Sequence, residues 1–123
     1  MRTPDIIRKL REEEKLTQGY IAKHLGVVQQ TYSNYERGNT EVPLEYLSKL
    51  ADYYGVSIDY MMGRTNFSKP ATELNEEYSR NKTTGEVLSE MLRLETDSRE
   101  KLLDYIEFLK FKEARRGIKE ELH

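Results

Sequence analysis

From the first residues onward, apolar positions recur every three or four places, the spacing of helices that bury one face. Ile6, Ile7 and Leu10 form the first stripe, running to about Lys15, with Thr3 as its cap, Pro4 at the first helical position and Asp5 in the first turn. Thr17 signals a second helix that buries Ile21, Ala22 and Leu25 and stops at Gly26, a residue free to take the positive φ of a tight turn. A third helix spans Gln29 to Arg37 and ends at Gly38. Its spacing turns Tyr32 and Tyr35 inward and leaves Gln29, Gln30, Ser33 and Asn34 outward. Pro43 opens a fourth helix through Leu44, Leu47, Leu50, Ala51 and Tyr54, closed by Gly55. Ser57 starts a short fifth with Ile58, Met61 and Met62, ended by Gly63. No strand pattern interrupts this series, which predicts an all-α domain of five short helices over residues 1–66.

Periodicity then lapses. Residues 67–83 gather Ser, Pro, Asn and charge, the composition of a linker with one helical turn near Glu73 to Tyr78. Thr83 with Glu86, and Asp97 with Glu100, have capping-box spacing, so two further helices are expected at about 84–94 and 98–116 within a C-terminal segment 84–123. Together they suggest a helical hairpin. Val87, Leu88, Met91, Leu92 and Leu94 on one, and Leu102, Tyr105, Ile106 and Leu109 on the other, offer more apolar face than two short helices hide between themselves. A second copy of the chain would cover it, with Leu102, Tyr105, Ile106, Phe108, Leu109 and Phe111 as the dimerisation residues. Folding back onto the N-terminal domain is the alternative.

Length and composition narrow the function. A chain of 123 residues holds one compact domain and an appendage, too little for many enzymes. With no cysteine and two histidines, His24 and His123, it offers no thiolate, disulfide or metal cluster. Neither paired carboxylates in a plausible pocket, nor a nucleophile with its base, nor a phosphate-cradling glycine loop can be assembled, so no catalytic residue and no cofactor is expected. The N-terminus shows no signal-peptide pattern and no apolar run reaches the ~20 residues of a membrane span, which points to a cytoplasmic, nucleoid-associated protein. The net charge of −2 argues weakly against a polyanionic partner. Residues 1–66, however, carry nine basic and nine acidic side chains, and the acid excess lies beyond them.

The stretch from Thr17 to Gly26 (Thr-Gln-Gly-Tyr-Ile-Ala-Lys-His-Leu-Gly), followed by Val27 to Gly38, resembles the helix-turn-helix of the phage Cro/repressor (XRE) family of transcriptional regulators. Small Ala22 suits the crossing of two helices, Gly26 suits the turn, and Tyr32 and Tyr35 stand where the family buries large apolar residues. Leu47-Ser-Lys-Leu-Ala-Asp-Tyr-Tyr-Gly-Val-Ser-Ile-Asp-Tyr-Met-Met-Gly63 continues the likeness, which covers about residues 5–64. The resemblance implies a lambda-repressor-like domain whose third helix enters the major groove of double-stranded DNA while the second lies across the phosphate backbone.

On that reading Gln29, Gln30 and Asn34 carry the donor and acceptor pairs that match base edges. Gln18, in the first turn of the second helix, meets a phosphate, and Ser33, Lys23, Arg37 and Asn39 supply further contacts. Arg11 and Glu36 fall where similar repressors tie the first helix to the third, so they are assigned a structural ion pair. His24 is taken as a surface residue. Three positions depart from the family: Val28 replaces a capping Ser, Gly19 sits inside a helix, and Glu41 stands in a loop that is often basic. The expected partners are an operator duplex, a second copy, and an antagonist of the dimer helices. The rival reading is an antitoxin-like or adaptor protein using the same helices for a protein partner.

Overall fold

The helical periodicity resolves into five helices in the first part of the chain: α1 Thr3–Glu13, α2 Gln18–Leu25, α3 Gln29–Arg37, α4 Leu44–Tyr54 and α5 Ile58–Met61. The computed structural model describes residues 1–122, so the last residue of the expected C-terminal segment, His123, lies outside the described residues. The starts of α2 and α5 are capped by hydroxyl side chains. Thr17 Oγ1 accepts from the Tyr20 N–H at 3.0 Å and Ser57 Oγ from the Tyr60 N–H at 3.0 Å, each satisfying a donor that a helix N-terminus leaves free. The first helix starts one residue earlier than its Thr-Pro signal suggests. Arg2 is the N-cap, its backbone N–H donates to Asp5 Oδ2 at 3.4 Å, and Thr3 is already helical.

All five helices contribute to one core: Ile6 and Ile7 from α1, Ile21, Ala22 and Leu25 from α2, Tyr32 and Tyr35 from α3, Leu47, Leu50 and Ala51 from α4, and Met61 from α5. Ile7, Ile21, Tyr32, Leu50 and Met61 are fully excluded from water. The Tyr32 and Tyr35 rings meet edge to face at 6.3 Å, an arrangement their quadrupoles favour. Gly26, at φ +77°, turns the chain between α2 and α3; a side chain there would strain the backbone. The result fixes α3 against α1 and α2 on its tyrosine face and leaves its amide face free.

The chain divides into two compact units, one ending at Glu73 and the other beginning at Leu74. Over residues 67–83 the sequence predicts a linker with a helical turn near Glu73 to Tyr78. The structure instead forms a 3-10 helix at Ala71–Asn75 and an antiparallel hairpin of β1 Glu77–Ser79 and β2 Lys82–Thr83. The strands escaped a period-two reading because they are two and three residues long. Their turn uses Arg80 and Asn81, both at positive φ, in place of an Asn-Gly pair. Asn81 N–H donates to Glu77 Oε1 at 3.0 Å, which supports that turn.

The hairpin leads straight into α6 Thr84–Arg93, whose start is the capping box read from the sequence: Thr83 Oγ1 accepts from the Glu86 N–H at 3.1 Å, and Glu86 Oε1 accepts from the Thr83 N–H at 3.4 Å. Gly85 lets this helix approach the Leu74 backbone, since a Cβ there would stand 3.1 Å from the Leu74 carbonyl oxygen. The last helix, α7, runs Thr96–Leu122 and is longer than the expected 98–116. Asp97 therefore sits inside its first turn instead of capping it, with Arg99 N–H donating to Glu95 O at 2.9 Å. Gly117 does not end α7, because the residues after it, Ile-Lys-Glu-Glu-Leu, keep a helical propensity that outweighs one glycine. No residue from Leu74 through Ile118 is buried, in contrast to the well-formed core of the first unit.

Candidate nucleic-acid interface

The site is assembled from α2, α3 and one buried ion pair. Glu36, on the inner side of α3, is only 4% exposed. Its carboxylate receives Arg11 Nε at 2.9 and 3.1 Å and Arg11 Nη2 at 2.9 Å, while Arg11 Nη1 donates to the Leu16 carbonyl at 2.8 Å. One guanidinium thus ties α1 to α3 and to the turn that precedes α2. The fork geometry suits arginine and would be lost with lysine. Hydrogen bonding to Glu36 raises the Arg11 pKa above its ordinary value against the opposing effect of burial. Burial, followed by the charge of Glu36, pushes the Tyr32 phenol well above its usual range, so this neighbour stays neutral beside the pair.

Gln18 joins the same cluster. Its Nε2 donates to Glu36 Oε2 at 3.2 Å, which orients the side chain and leaves the second N–H of the amide unspent. Sequence reasoning placed Gln18 at the start of α2 but gave no sign of this link across 18 positions of chain. Gly19, next to it, is the second unforeseen part. The Gln29 amide lies over it, with Oε1 3.4 Å from where a Cβ on Gly19 would stand. A glycine that looked only like a weakness in α2 is thus the floor beneath the first amide of α3.

Gln29 and Gln30 are exposed at the start of α3, and Ser33 and Asn34 are half-buried one turn later. Gln30 Nε2 reaches Asn34 Oδ1 at 3.5 Å and Arg37 Nη2 donates to Ser33 Oγ at 3.0 Å, so the face is laced by pairs one helical turn apart. Gln18 is thus held by Glu36 of α3 and Gln29 lies against Gly19 of α2, while Gln30, Ser33, Asn34 and Arg37 are linked along α3. Lys23, Arg37 and Asn39 project into solvent. His24 is exposed and its ring lies 4.8 Å from that of Tyr53. Val28 holds the extended cap conformation of α3 without a side-chain hydrogen bond, so the first-turn amides of that helix receive nothing from their cap.

Amides of this kind present a donor and an acceptor a few ångströms apart, a pattern that fits adenine or bridges two base edges, and the free amides at the start of α3 suit an anion. Among the described residues no group of three or more His, Cys, Asp or Glu is placed to hold a metal ion. No helix among them is long and apolar enough to cross a membrane.

Comparison with known proteins places these elements. Residues 7–61, from α1 to α5, match the helix-turn-helix family model. A Bacillus subtilis protein named as an uncharacterized HTH-type transcriptional regulator, YobD, is 37% identical over 67 residues, 54% of this chain and 60% of its own length. The transcriptional repressor RstR of the cryptic phage CTXphi, from Vibrio cholerae, is 46% identical over 52 residues, 42% of this chain and 47% of the repressor. The chain therefore spans about half to three-fifths of these relatives. A solved transcriptional regulator from Listeria innocua shares the fold at a TM-score of 0.51 and 21% identity, covering 89% of this chain and 94% of that one.

Proposed function

We propose that this chain, whose residues 7–61 match the helix-turn-helix family model, is a transcriptional regulator of the phage Cro/repressor-like kind, a dimeric repressor that reads a palindromic operator with α3. Gln29, Gln30 and Asn34 contact base edges in the major groove. Gln18 and the free amides of α2 and α3 meet the phosphates on either side, helped by Ser33, Lys23, Arg37 and Asn39. Arg11 and Glu36 touch no DNA and fix the angle of α3 against α1. The observation that carries this reading is the outward amide face of α3, neutral and held from behind by a buried bidentate pair.

The neutral balance of residues 1–66, with Glu41 in the loop after α3, gives little non-specific attraction. Specificity then comes from base contacts, and affinity falls only gently with salt because few counterions are released. One reading head covers a half-site. Two copies joined through the C-terminal unit cover two half-sites about 34 Å apart. That unit supports the assignment: none of its described residues is buried, while Leu103, Tyr105, Phe108 and Phe111 are each more than half exposed. A dimer face of this kind is also where a protein antagonist would act, and the cytoplasm is where such a regulator meets its operator.

Selection of bound duplexes from a random pool tests the proposal. Wild-type protein is expected to enrich one inverted repeat, and Gln29→Ala and Asn34→Ala to change the bases enriched at one position per half-site. A folded protein that enriches no sequence refutes it and leaves the adaptor reading in its place.

A further inference from the structure

We propose that the amide face of α3 reads DNA as a hydrogen-bond donor, so that its ligand is the set of acceptor atoms in the major groove: guanine O6, thymine O4 and the purine N7 beside them. This donor readout rests on the operator reading above and specifies the atoms it uses. A side-chain amide carries a donor and an acceptor, and which of them meets a base depends on how the group is turned. Gln29 is turned with its oxygen inward. Its Oε1 stands 3.4 Å and its Cδ 3.9 Å from the point a Cβ of Gly19 would occupy, while Nε2 lies further off. Gly19 is the second residue of α2, so that oxygen meets the positive end of a helix dipole and the Cα hydrogens of a glycine. An NH2 group in the same place would set its hydrogens against both. The exposed Gln29 therefore offers its nitrogen outward.

The rest of the face carries the same bias. Asn34 Oδ1 accepts from Gln30 Nε2 at 3.5 Å, which leaves both Nδ2 hydrogens of Asn34 to donate. Ser33 Oγ is occupied by Arg37 Nη2 at 3.0 Å. At the edge nearest α2, the second N–H of Gln18 is unspent once the first has gone to Glu36. Acceptors on this surface are thus engaged or turned away, and donors remain. In the major groove guanine presents two adjacent acceptors and thymine presents one, whereas the amino groups of adenine and cytosine are donors and oppose a donor face. Every base pair holds one keto and one amino group in that groove, so the distinction lies between atoms and not between letters of the sequence.

Deleting single atoms from the operator tests this. In the duplex selected by wild type, the base pair to which Gln29→Ala becomes indifferent marks the contact of Gln29. At that pair, acceptors are removed with a purine bearing carbon in place of N7, a guanine analogue without O6 or a thymine analogue without O4. Amino donors are removed with unsubstituted purine for adenine or pyrimidinone for cytosine. Gln29→Ala controls for any change the analogue makes to the duplex itself. Equilibrium titration at fixed salt is expected to show a loss of about five- to tenfold on deleting an acceptor, with wild type and not with Gln29→Ala, and below about twofold on deleting an amino group. A loss of about tenfold on deleting an amino group, present in wild type and absent in Gln29→Ala, overturns the donor readout and leaves the DNA-reading face standing. Loss on neither kind of deletion overturns it as well. A wild type that enriches no sequence, or a Gln29→Ala protein that discriminates as wild type does at every pair, overturns the operator reading and the donor readout together.

Discussion

Truncating Arg11 to alanine removes more than a surface contact. The side chain is 13% exposed, and it makes three close contacts to Glu36 and one to the Leu16 carbonyl. After the change, a carboxylate on a side chain that is 2% exposed keeps only the Gln18 amide as a donor from this cluster. Leaving one charge of a buried pair uncompensated costs about 3–5 kcal/mol, whereas an exposed pair is worth below ~1 kcal/mol. A unit that ends at Glu73 has a total stability of about 4–10 kcal/mol, so Arg11→Ala should bring it close to unfolding at room temperature. Glu36→Gln keeps the shape and an acceptor for the guanidinium, and should cost about 2 kcal/mol. The double replacement Arg11→Met with Glu36→Met removes both charges and should return to within ~1 kcal/mol of wild type. The chain has no tryptophan, so urea unfolding is followed by far-ultraviolet circular dichroism. With m of about 1–2 kcal/mol/M, Arg11→Ala moves the midpoint by about 2 M or more. A loss below ~1 kcal/mol for Arg11→Ala, or a double variant no better than the single, would refute the buried-pair reasoning.

Three further outcomes follow from the same geometry. Gly19→Ala should stabilise the first unit by ~1 kcal/mol, because α2 gains helix propensity and the new methyl meets Gln29 Oε1 at an ordinary contact distance of 3.4 Å; a lowered melting temperature would show that the floor beneath Gln29 is already full. Val28→Ser should add about 0.5–2 kcal/mol by capping α3, since the backbone is already extended there and the 69% exposed valine gives up no core packing; an unchanged urea midpoint would contradict this. Burial raises the phenol pKa values of Tyr32 and Tyr54 above their ordinary value. In the unfolded chain these phenols ionise near pH 10, so stability is intact below that pH and declines as pH rises through it. Melting temperatures between about pH 8 and 11 should show that decline, and Tyr54→Phe should make it shallower.

The first unit was readable because each of its signals is local. Thr17, Gly26, Gly38, Pro43 and Ser57 mark ends, and apolar spacing marks the buried faces, so five helices and their core emerge from neighbours three or four residues apart. The contacts that position the site are not local. Gln18 meets Glu36 from another helix, and the amide of Gln29 rests on Gly19 across the α2–α3 turn. Composition at Gln18 or Gly19 carries no trace of either, which is why the glycine read as a defect. The second unit was harder for a different reason. Its hairpin is too short for alternation to register, and in α7 the apolar residues Leu103, Phe111 and Ile118 lie away from the Leu102–Leu109 stripe, which blurs any single face. Capping rules still located α6 at Thr83, but at α7 the Asp97–Glu100 spacing placed the start two residues late, because the helix begins at Thr96.

The central claim is that the amide face of α3 distinguishes bases. Equilibrium titration of wild type and Gln29→Ala against the selected operator, and against duplexes changed one base pair at a time, tests it most directly at fixed salt. The account predicts that Gln29→Ala loses about 1–3 kcal/mol on the operator, becomes indifferent to one base pair in each half-site, and binds unrelated DNA as wild type does. Equal discrimination by the two proteins at every position, or a folded wild type that binds no duplex at low salt, would contradict it.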